Sequence, residues 1–497
     1  MAQFDSLVDL FEKSCEKYAG NQLFGVKKGD GWEWITYGEF KSLVDRFRGG
    51  LASLGVGAGD RVGIVANNRI EWAVAAYATY GRGAQFVPMY EAQKDSEWAF
   101  ILEDCGAKVV IGATDDILAK LRKIVDDIDT LETVIGLEAP ADDETSYQAL
   151  LAKGEAAPVD AEHPGWDDLA GFIYTSGTTG APKGVKLSHG NICSNVNAIH
   201  EVFTFTTDDR SLSFLPWAHS FGQTVELHGL LSMGSSLAIN DEIPNLVGNL
   251  AEVKPTILFA VPRIFNRIYD GVNKQMAERG GMVESLFHQA VGIAARKGAG
   301  ESVGFFEGMK LSLADSLIFS KVRARFGGRL KYAISGSAAL NRDVAKFIDA
   351  LGIEVYEGYG LTETSPIATA NYPGNRKIGS VGKAINGVRI VIDKEVTGDP
   401  ENGEILVYGP NVMQGYHNRE DENAKVLMDD GGFRTGDMGR VDSEGYVYIT
   451  GRIKEQYKLE NGKYVVPSPL EEEVKLSRFV GNAMLYGMNK PYNVILI

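Results

Sequence analysis

The sequence predicts an α/β protein whose large N-terminal domain is built of two αβ-layered sheets and a small β subdomain. Three observations carry this. Strand-length apolar runs alternate with helical patterns from residue 60 onward, the alternation restarts near residue 221, and past Tyr372 it gives way to glycine turns and short alternating runs.

With 497 residues the chain exceeds one ordinary core and holds several subdomains. Hydrophobic residues at 44% and charged residues at 23% describe a folded globular protein. The formal charge of −16 repels nucleic acid and anionic membrane surfaces over most of the protein, which excludes nucleic-acid binding as a first reading while leaving room for a local basic cleft. Cys15, Cys105 and Cys193 are widely spaced in apolar helical contexts, as expected of reduced core thiols, and form no metal-ligand pattern. The N-terminus lacks a basic stretch followed by an apolar one, and no apolar run approaches the ~20 residues that span a bilayer. The expected location is cytoplasmic, with at most peripheral membrane contact.

In order along the chain, Phe4, Leu7, Val8, Phe11 and Cys15 fall on one helical face. A membrane-surface helix and one docked on its own domain both fit this pattern, and the mixed charge of the polar face favours docking. Residues 61–66 read as strand, 70–80 as helix, 85–89 as strand, 96–105 as helix, 108–112 as strand, 115–128 as helix and 133–136 as strand, which implies a mostly parallel sheet. Residues 138–164 are acidic and weakly periodic and read as a surface connection. Ser188 can cap a helix reaching about residue 200, and 211–215 is a short strand. Then come a helix at 221–231, strands at 236–239 and 256–261, helices at 263–276, 283–296 and 308–326, and a strand at 330–334. Strands at 388–392, 404–408 and 446–450 make up the β subdomain.

The chemistry centres on Tyr174-Thr-Ser-Gly-Thr-Thr-Gly-Ala-Pro-Lys-Gly-Val185. Gly177, Gly180 and Gly184 let backbone N–H groups turn toward an anion, Thr175, Ser176, Thr178 and Thr179 add hydroxyls, and Lys183 adds a charge, so a polyphosphate such as ATP is expected. The spacing is not that of a P-loop, because only two residues separate Gly177 from Gly180 and Gly184 follows Lys183. A hydroxyl-rich hairpin without a ligand is the competing reading of such a loop taken alone.

Ser335-Gly-Ser-Ala-Ala339 follows a strand directly, and the small Gly336, Ser337 and Ala338 leave room for a flat ring. In Tyr356-Glu-Gly-Tyr-Gly-Leu-Thr-Glu-Thr364, Gly358 and Gly360 flank Tyr359, which can stack on adenine. Thr362 can bond an α-phosphate, Glu363 can hold Mg²⁺, and Glu357 belongs to the same nucleotide-binding stretch. Asp437, in Phe433-Arg-Thr-Gly-Asp-Met438, suits the two ribose hydroxyls, and Arg452 can approach the same sugar. Each of these motifs alone also reads as an ordinary turn or strand end.

Together and in order, these motifs resemble those of the adenylate-forming enzymes, the superfamily of acyl-CoA synthetases, luciferases and adenylation domains, over roughly residues 10 to 495. The likeness is strongest to bacterial long-chain fatty acid–CoA ligases, through Leu215-Pro-Trp-Ala-His219, Val261-Pro-Arg-Ile264, Ile334-Ser-Gly-Ser-Ala338 and Asn461-Gly-Lys-Tyr-Val-Val-Pro467. The resemblance implies ATP-dependent conversion of a fatty acid to acyl-AMP and pyrophosphate, then transfer to coenzyme A. Fatty acid, ATP and coenzyme A are the implied partners, with Mg²⁺ as the metal.

By the same resemblance Thr175, Lys183, His219, Glu363 and Lys458 are catalytic, with His219 gating the carboxylate pocket. Trp217, Phe221, Val225, Phe259 and Val261 line the acyl site, although each could equally be core. Lys454 is the implied hinge between an AMP-binding domain at 1–450, which includes the β subdomain from about 373, and a small α+β C-terminal domain starting at 451. Family members continue that domain and place a lysine near its end that bridges carboxylate and phosphate. That lysine is not in this sequence, so binding of ATP and acid is expected, with the complete two-step reaction weak or absent. An acyl-AMP ligase loading a carrier protein, and a non-catalytic acyl- or nucleotide-binding fragment, remain as alternatives.

Overall fold

The computed structural model describes residues 3–176, 180–298, 300–397, 399–461, 463–475, 477 and 479–497. The chain forms two compact units. The first comprises Met1–Leu246, Gly360–Ile367 and Gly409–Asp429, and the second Val247–Tyr359, Ala368–Tyr408 and Asp430–Ile497.

The first unit contains a six-stranded sheet in the order Thr133–Gly136, Val109–Gly112, Arg61–Val65, Gln85–Met89, Leu169–Thr175, Lys183–Ser188. Neighbours run parallel except the last pair, so the expected parallel sheet ends in an antiparallel hairpin. The intervening helices Ile70–Tyr80, Asp95–Cys105 and Asp115–Ile124 follow the apolar periodicity. The last is shorter than expected, giving way to a 3₁₀ turn over Val125–Asp127 where successive acidic residues leave no apolar face. The strands Arg210–Ser213, Ser236–Ile239 and Gln22–Lys28 run parallel in that order, and Gly31–Thr36 closes an antiparallel hairpin on the last.

The opening helix, Leu7–Lys17, buries Leu7, Val8, Leu10, Phe11 and Cys15 in its own unit, and Ser6 caps it by accepting the Asp9 N–H. This decides for the docked reading. Phe11 stacks on Tyr77 with ring centroids 5.0 Å apart, in a fully buried aromatic core that also holds Phe24, Phe40, Trp72 and Trp217.

Two elements depart from expectation here. The stretch 138–164 is not all surface connection: Ser146 caps a helix over Tyr147–Ala156. That helix lies against Tyr37–Ser53, and a β-carbon at Gly154 would run into the Arg46 carbonyl oxygen. Its buried face, Tyr147, Leu150, Leu151 and Gly154, is short and lies between acidic, proline-containing stretches, which masks the helical spacing. At 221–231 the helix is wound as a π-helix over Phe221–His228 before becoming α-helical at Gly229–Ser232, a widening frequent at functional sites.

In the second unit, Ile257–Ala260, Tyr332–Ser335 and Glu354–Gly360 pair in parallel. The β subdomain is a four-stranded antiparallel sheet of Arg389–Asp393, Gly403–Tyr408, Phe433–Val441 and Val447–Arg452. Two short ribbons follow, Tyr457–Lys458 with Tyr464–Val465 and Met484–Tyr486 with Val494–Leu496.

Cys15, Cys105 and Cys193 are free and buried. Among the described residues no helix is long and apolar enough to cross a membrane.

Candidate functional site

In the first unit the phosphate loop joins two antiparallel strands, with Thr175 paired opposite Lys183 and Tyr174 opposite Gly184. Thr175 is half-buried, Ser176 and Gly180 are exposed, and Gly177, Thr178 and Thr179 lie outside the described residues. Tyr174 anchors the hairpin by donating its hydroxyl to Asp104 Oδ2 at 2.7 Å. The Lys183 ammonium lies 2.6 Å from Glu422 Oε2 and 5.1 Å from the ring centroid of Tyr416. Hydrogen bonds from Lys183 and then Lys425 hold the Glu422 carboxyl down to about 2.

Two short returns of the chain bring the remaining residues to this hairpin. Gln414 and His417 donate backbone N–H groups to the carbonyls of Lys186 and Gly184, and Lys186 donates to Gly415. Met413 donates to the Glu363 carbonyl, and Asn411 Nδ2 reaches the carbonyls of Thr364 and Ile367. Segment 360–367 is thereby stitched to segment 409–416. At Gly360 any β-carbon would collide with the Pro366 carbonyl oxygen, so only glycine allows this turn.

The outcome is a compact polar cluster. Tyr416 donates its hydroxyl to Glu363 Oε1 at 2.7 Å while its ring faces the Lys183 ammonium. Burial and the neighbouring Glu363 push the Tyr416 phenol well above its ordinary range, so it remains a donor. Thr362, nearly buried, shares a 3.2 Å hydrogen bond with Ser220. Thr362 and Glu363 therefore engage different neighbours although adjacent in sequence.

A Mg²⁺ ion asks for one or two carboxylates and takes its other ligands from phosphate and water. Glu363 meets that demand. Among the described residues no group of three or more His, Cys, Asp or Glu is arranged to hold a metal by itself.

His219 is half-buried at the start of the π-helix. Its Nδ1 accepts the Phe221 N–H at 3.1 Å, which places the proton of the neutral ring on Nε2, and burial lowers its pKa. Trp217 is fully buried with its ring 5.7 Å from those of Phe24 and Trp72, and Phe221 and Val225 are buried beside it in the sequence.

The second unit holds the residues expected on the nucleoside. Ser335 ends its strand, Gly336 is buried, and Ser337 and Ala338 are exposed, Ser337 with φ of 69°. Glu357 is buried and accepts the Leu340 N–H at 3.3 Å, and burial raises its pKa to about 7. Beyond the half-buried Gly358, Tyr359 donates its hydroxyl to Asp437 Oδ2 at 2.8 Å. Asp437 sits inside a strand, paired directly with Arg452, whose Nε is 3.2 Å from Oδ1. Burial raises the Asp437 pKa against the opposing effects of Tyr359 and Arg452. Phe259 is buried and Val261 half-buried, Lys454 is exposed, and Lys458 is exposed with its ammonium 5.3 Å from the Tyr464 ring centroid.

Sequence reasoning missed Tyr416, Glu422 and Ser220. Tyr416 was detectable, since it is an aromatic next to a glycine between strand runs, the same signal that marks Tyr359. Glu422 lies on a short helix, Glu420–Val426, with two other acids in its first turn, and nothing in the sequence separates it from them.

These features define an α/β enzyme whose glycine-rich hairpin carries Lys183 into a polar cluster with Tyr416, Glu363 and Glu422. Residues 11–417 match the family model described as AMP-binding enzyme, and the chain belongs to that family. It is 31% identical to "Long chain acyl-CoA synthetase 7, peroxisomal" of Arabidopsis thaliana, over 98% of this chain and 72% of that protein. It is 32% identical to "Long-chain-fatty-acid--CoA ligase FadD15" of Mycobacterium bovis, over 94% of this chain and 77% of that protein. Among solved structures, ATP-bound MatB from Rhodopseudomonas palustris is similar with a TM-score of 0.75 and 26% identity, covering 96% of this chain and 85% of that one.

Proposed function

We propose that this chain is an AMP-forming acid–thiol ligase that activates a long-chain fatty acid and passes the acyl group to coenzyme A. The observation that carries the reading is the Lys183–Tyr416–Glu363 cluster, where one ring holds a cation on its face and a carboxylate at its hydroxyl. That is the charge pattern a metal-bound polyphosphate needs. The family match and the relatives' printed activities support the same assignment.

In the first step a carboxylate oxygen attacks the α-phosphorus of ATP, the bond to the bridging oxygen breaks, and pyrophosphate leaves. In the second, the coenzyme A sulfur attacks the acyl carbon, the acyl–phosphate C–O bond breaks, AMP leaves, and the thiol proton goes to solvent. Mg²⁺, when bound, neutralises phosphate charge. Lys183, Thr175, Ser176, Gly177, Thr178, Thr179 and Gly180 hold the phosphates, Thr362 the α-phosphate, and Glu363 the metal. Tyr359, with Glu357, Gly358, Gly360, Gly336, Ser337 and Ala338, frames adenine, while Asp437 and Arg452 take the ribose. His219 presents its Nε2–H to the acid, whose tail follows Trp217, Phe221, Val225, Phe259 and Val261. Lys454 acts as hinge and Lys458 serves thioester formation. The work is done in the cytoplasm, with peripheral contact to the inner face of a membrane.

The test is pyrophosphate release with ATP, Mg²⁺ and acids from acetate to oleate, followed by acyl-CoA formation. Release strongest with long acids and a coenzyme A thioester product are expected. Absence of acid-dependent release overturns the reading.

A further inference from the structure

The helix Phe305–Ala314, continued by Asp315–Phe319 and Ser320–Arg325, carries apolar residues on two faces. The inner face buries Ala314, Ile318 and Phe319, the last 6.4 Å from the buried Phe287 ring. The outer face presents Phe305, Phe306, Met309, Leu313 and Leu317, which are 79, 77, 56, 51 and 47% exposed. Spacing of four residues aligns 305, 309, 313 and 317 in one stripe. An apolar stripe of this length on a soluble surface marks a contact site.

Charge identifies the occupant. Residues 263–331 hold twelve Lys and Arg against six Asp and Glu, a local net charge of +6 in a chain of −16. Both acids of the helical stretch are engaged in ion pairs, Glu307 with Arg296 and Asp315 with Arg323. Lys310 and Lys321 are exposed next to the stripe in the sequence. Aromatic and aliphatic side chains edged by lysine fit the boundary between headgroups and acyl chains of an anionic bilayer.

We propose that this face docks the protein on an anionic phospholipid membrane, with Phe305, Phe306 and Met309 inserted and Lys310 and Lys321 against the headgroups. The proposal deepens the membrane contact of the functional reading and rests on it for its purpose, since a long-chain acid partitions into the same bilayer. The remainder of the protein, being strongly acidic, is repelled by that surface, so attraction orients the molecule as well as holding it.

The experiment is flotation with vesicles of phosphatidylcholine alone or with one third phosphatidylglycerol, at low and high salt. The native chain should float with the anionic vesicles, less so at high salt. F305S/F306S/M309S should weaken binding about tenfold or more. K310E/K321E should weaken it by at least about fivefold per position on anionic vesicles and leave the neutral ones unchanged. No binding by the native chain, native-like binding by both variants, or a concentration-dependent dimer abolished by the triple substitution would each overturn the proposal, the last by naming a second copy as the occupant. Pyrophosphate release with octanoate in vesicle-free buffer should be the same in all three proteins. Its absence from the native chain would count against the ligase reading and leave the vesicle result standing.

Discussion

Lys183 Nζ and Glu422 Oε2 lie 2.6 Å apart, 239 residues distant in sequence, in the first unit. The lysine expected on the phosphates is therefore already neutralised by a carboxylate, and a triphosphate must compete for it. Replacing Glu422 by Gln should lower KM for ATP severalfold, whereas Lys183→Met should lower the rate of pyrophosphate release by about 10²–10³-fold. Because the Glu422 pKa is depressed to about 2, the stability this pair contributes is present above the ordinary 4.5 and is lost only as pH falls through about 2. ATP KM should then show no titration from Glu422 between pH 5 and 9, which steady-state kinetics across that range would check.

Tyr359 and Asp437 are joined in the same manner in the second unit. Tyr359→Phe keeps the ring and removes the donor to Oδ2, so KM for ATP should rise about tenfold, the worth of a hydrogen bond to a charged group. Asp437→Asn should raise it further, since it weakens the pairing with Arg452 as well. Initial rates of pyrophosphate release at varied ATP give both values.

His219→Ala should raise KM for the fatty acid while leaving KM for ATP nearly unchanged. Its lowered pKa keeps the ring neutral at pH 7, so the effect of the substitution should be the same at pH 7 and at pH 8. Initial rates with each substrate varied separately distinguish this from general destabilisation.

Glu226 is fully buried on the π-helix, with Ser211 and Ser213 donating to its two oxygens at 2.5 and 2.6 Å. Burial raises its pKa from 4.5 to about 7. The folded protein thus binds the extra proton, and its contribution to stability is full below about 4.5 and is lost as pH rises through 7. Glu226→Gln should abolish that dependence and stabilise the protein above pH 7 by on the order of 3 kcal/mol, read as a higher midpoint in thermal unfolding at pH 8 but not at pH 4.5.

Much of this architecture is legible in the sequence because its signals are local. Ile70–Tyr80, Gln85–Met89 and Ser236–Ile239 fall where apolar runs and flanking turns put them. Gln22–Lys28, Gly31–Thr36 and Tyr37–Ser53 are missing from the sequence reading; the hairpin's exposed strand alternates weakly, whereas the helix, with Tyr37, Phe40, Val44, Phe47 and Leu51 buried along one face, is legible by its spacing. In the site, Lys183, Glu363 and Asp437 could be picked out as lone charged residues in glycine-rich motifs. Tyr359 and Tyr416 carry the local signal of an aromatic beside glycine, whereas the pairing of Lys183 with Glu422, Glu363 with Tyr416 and Asp437 with Tyr359 is set by tertiary placement across tens to hundreds of residues.

The three buried cysteines bear on the chemistry of the product. Burial pushes the thiols of Cys15 and Cys105 up to about 12, and that of Cys193 higher still. Near neutral pH only ~10⁻⁵ of Cys15 or Cys105 is thiolate, the form that attacks activated acyl groups. An enzyme that forms acyl adenylates and thioesters thus keeps its own sulfur out of acyl exchange, and is spared acylation by the compounds it makes.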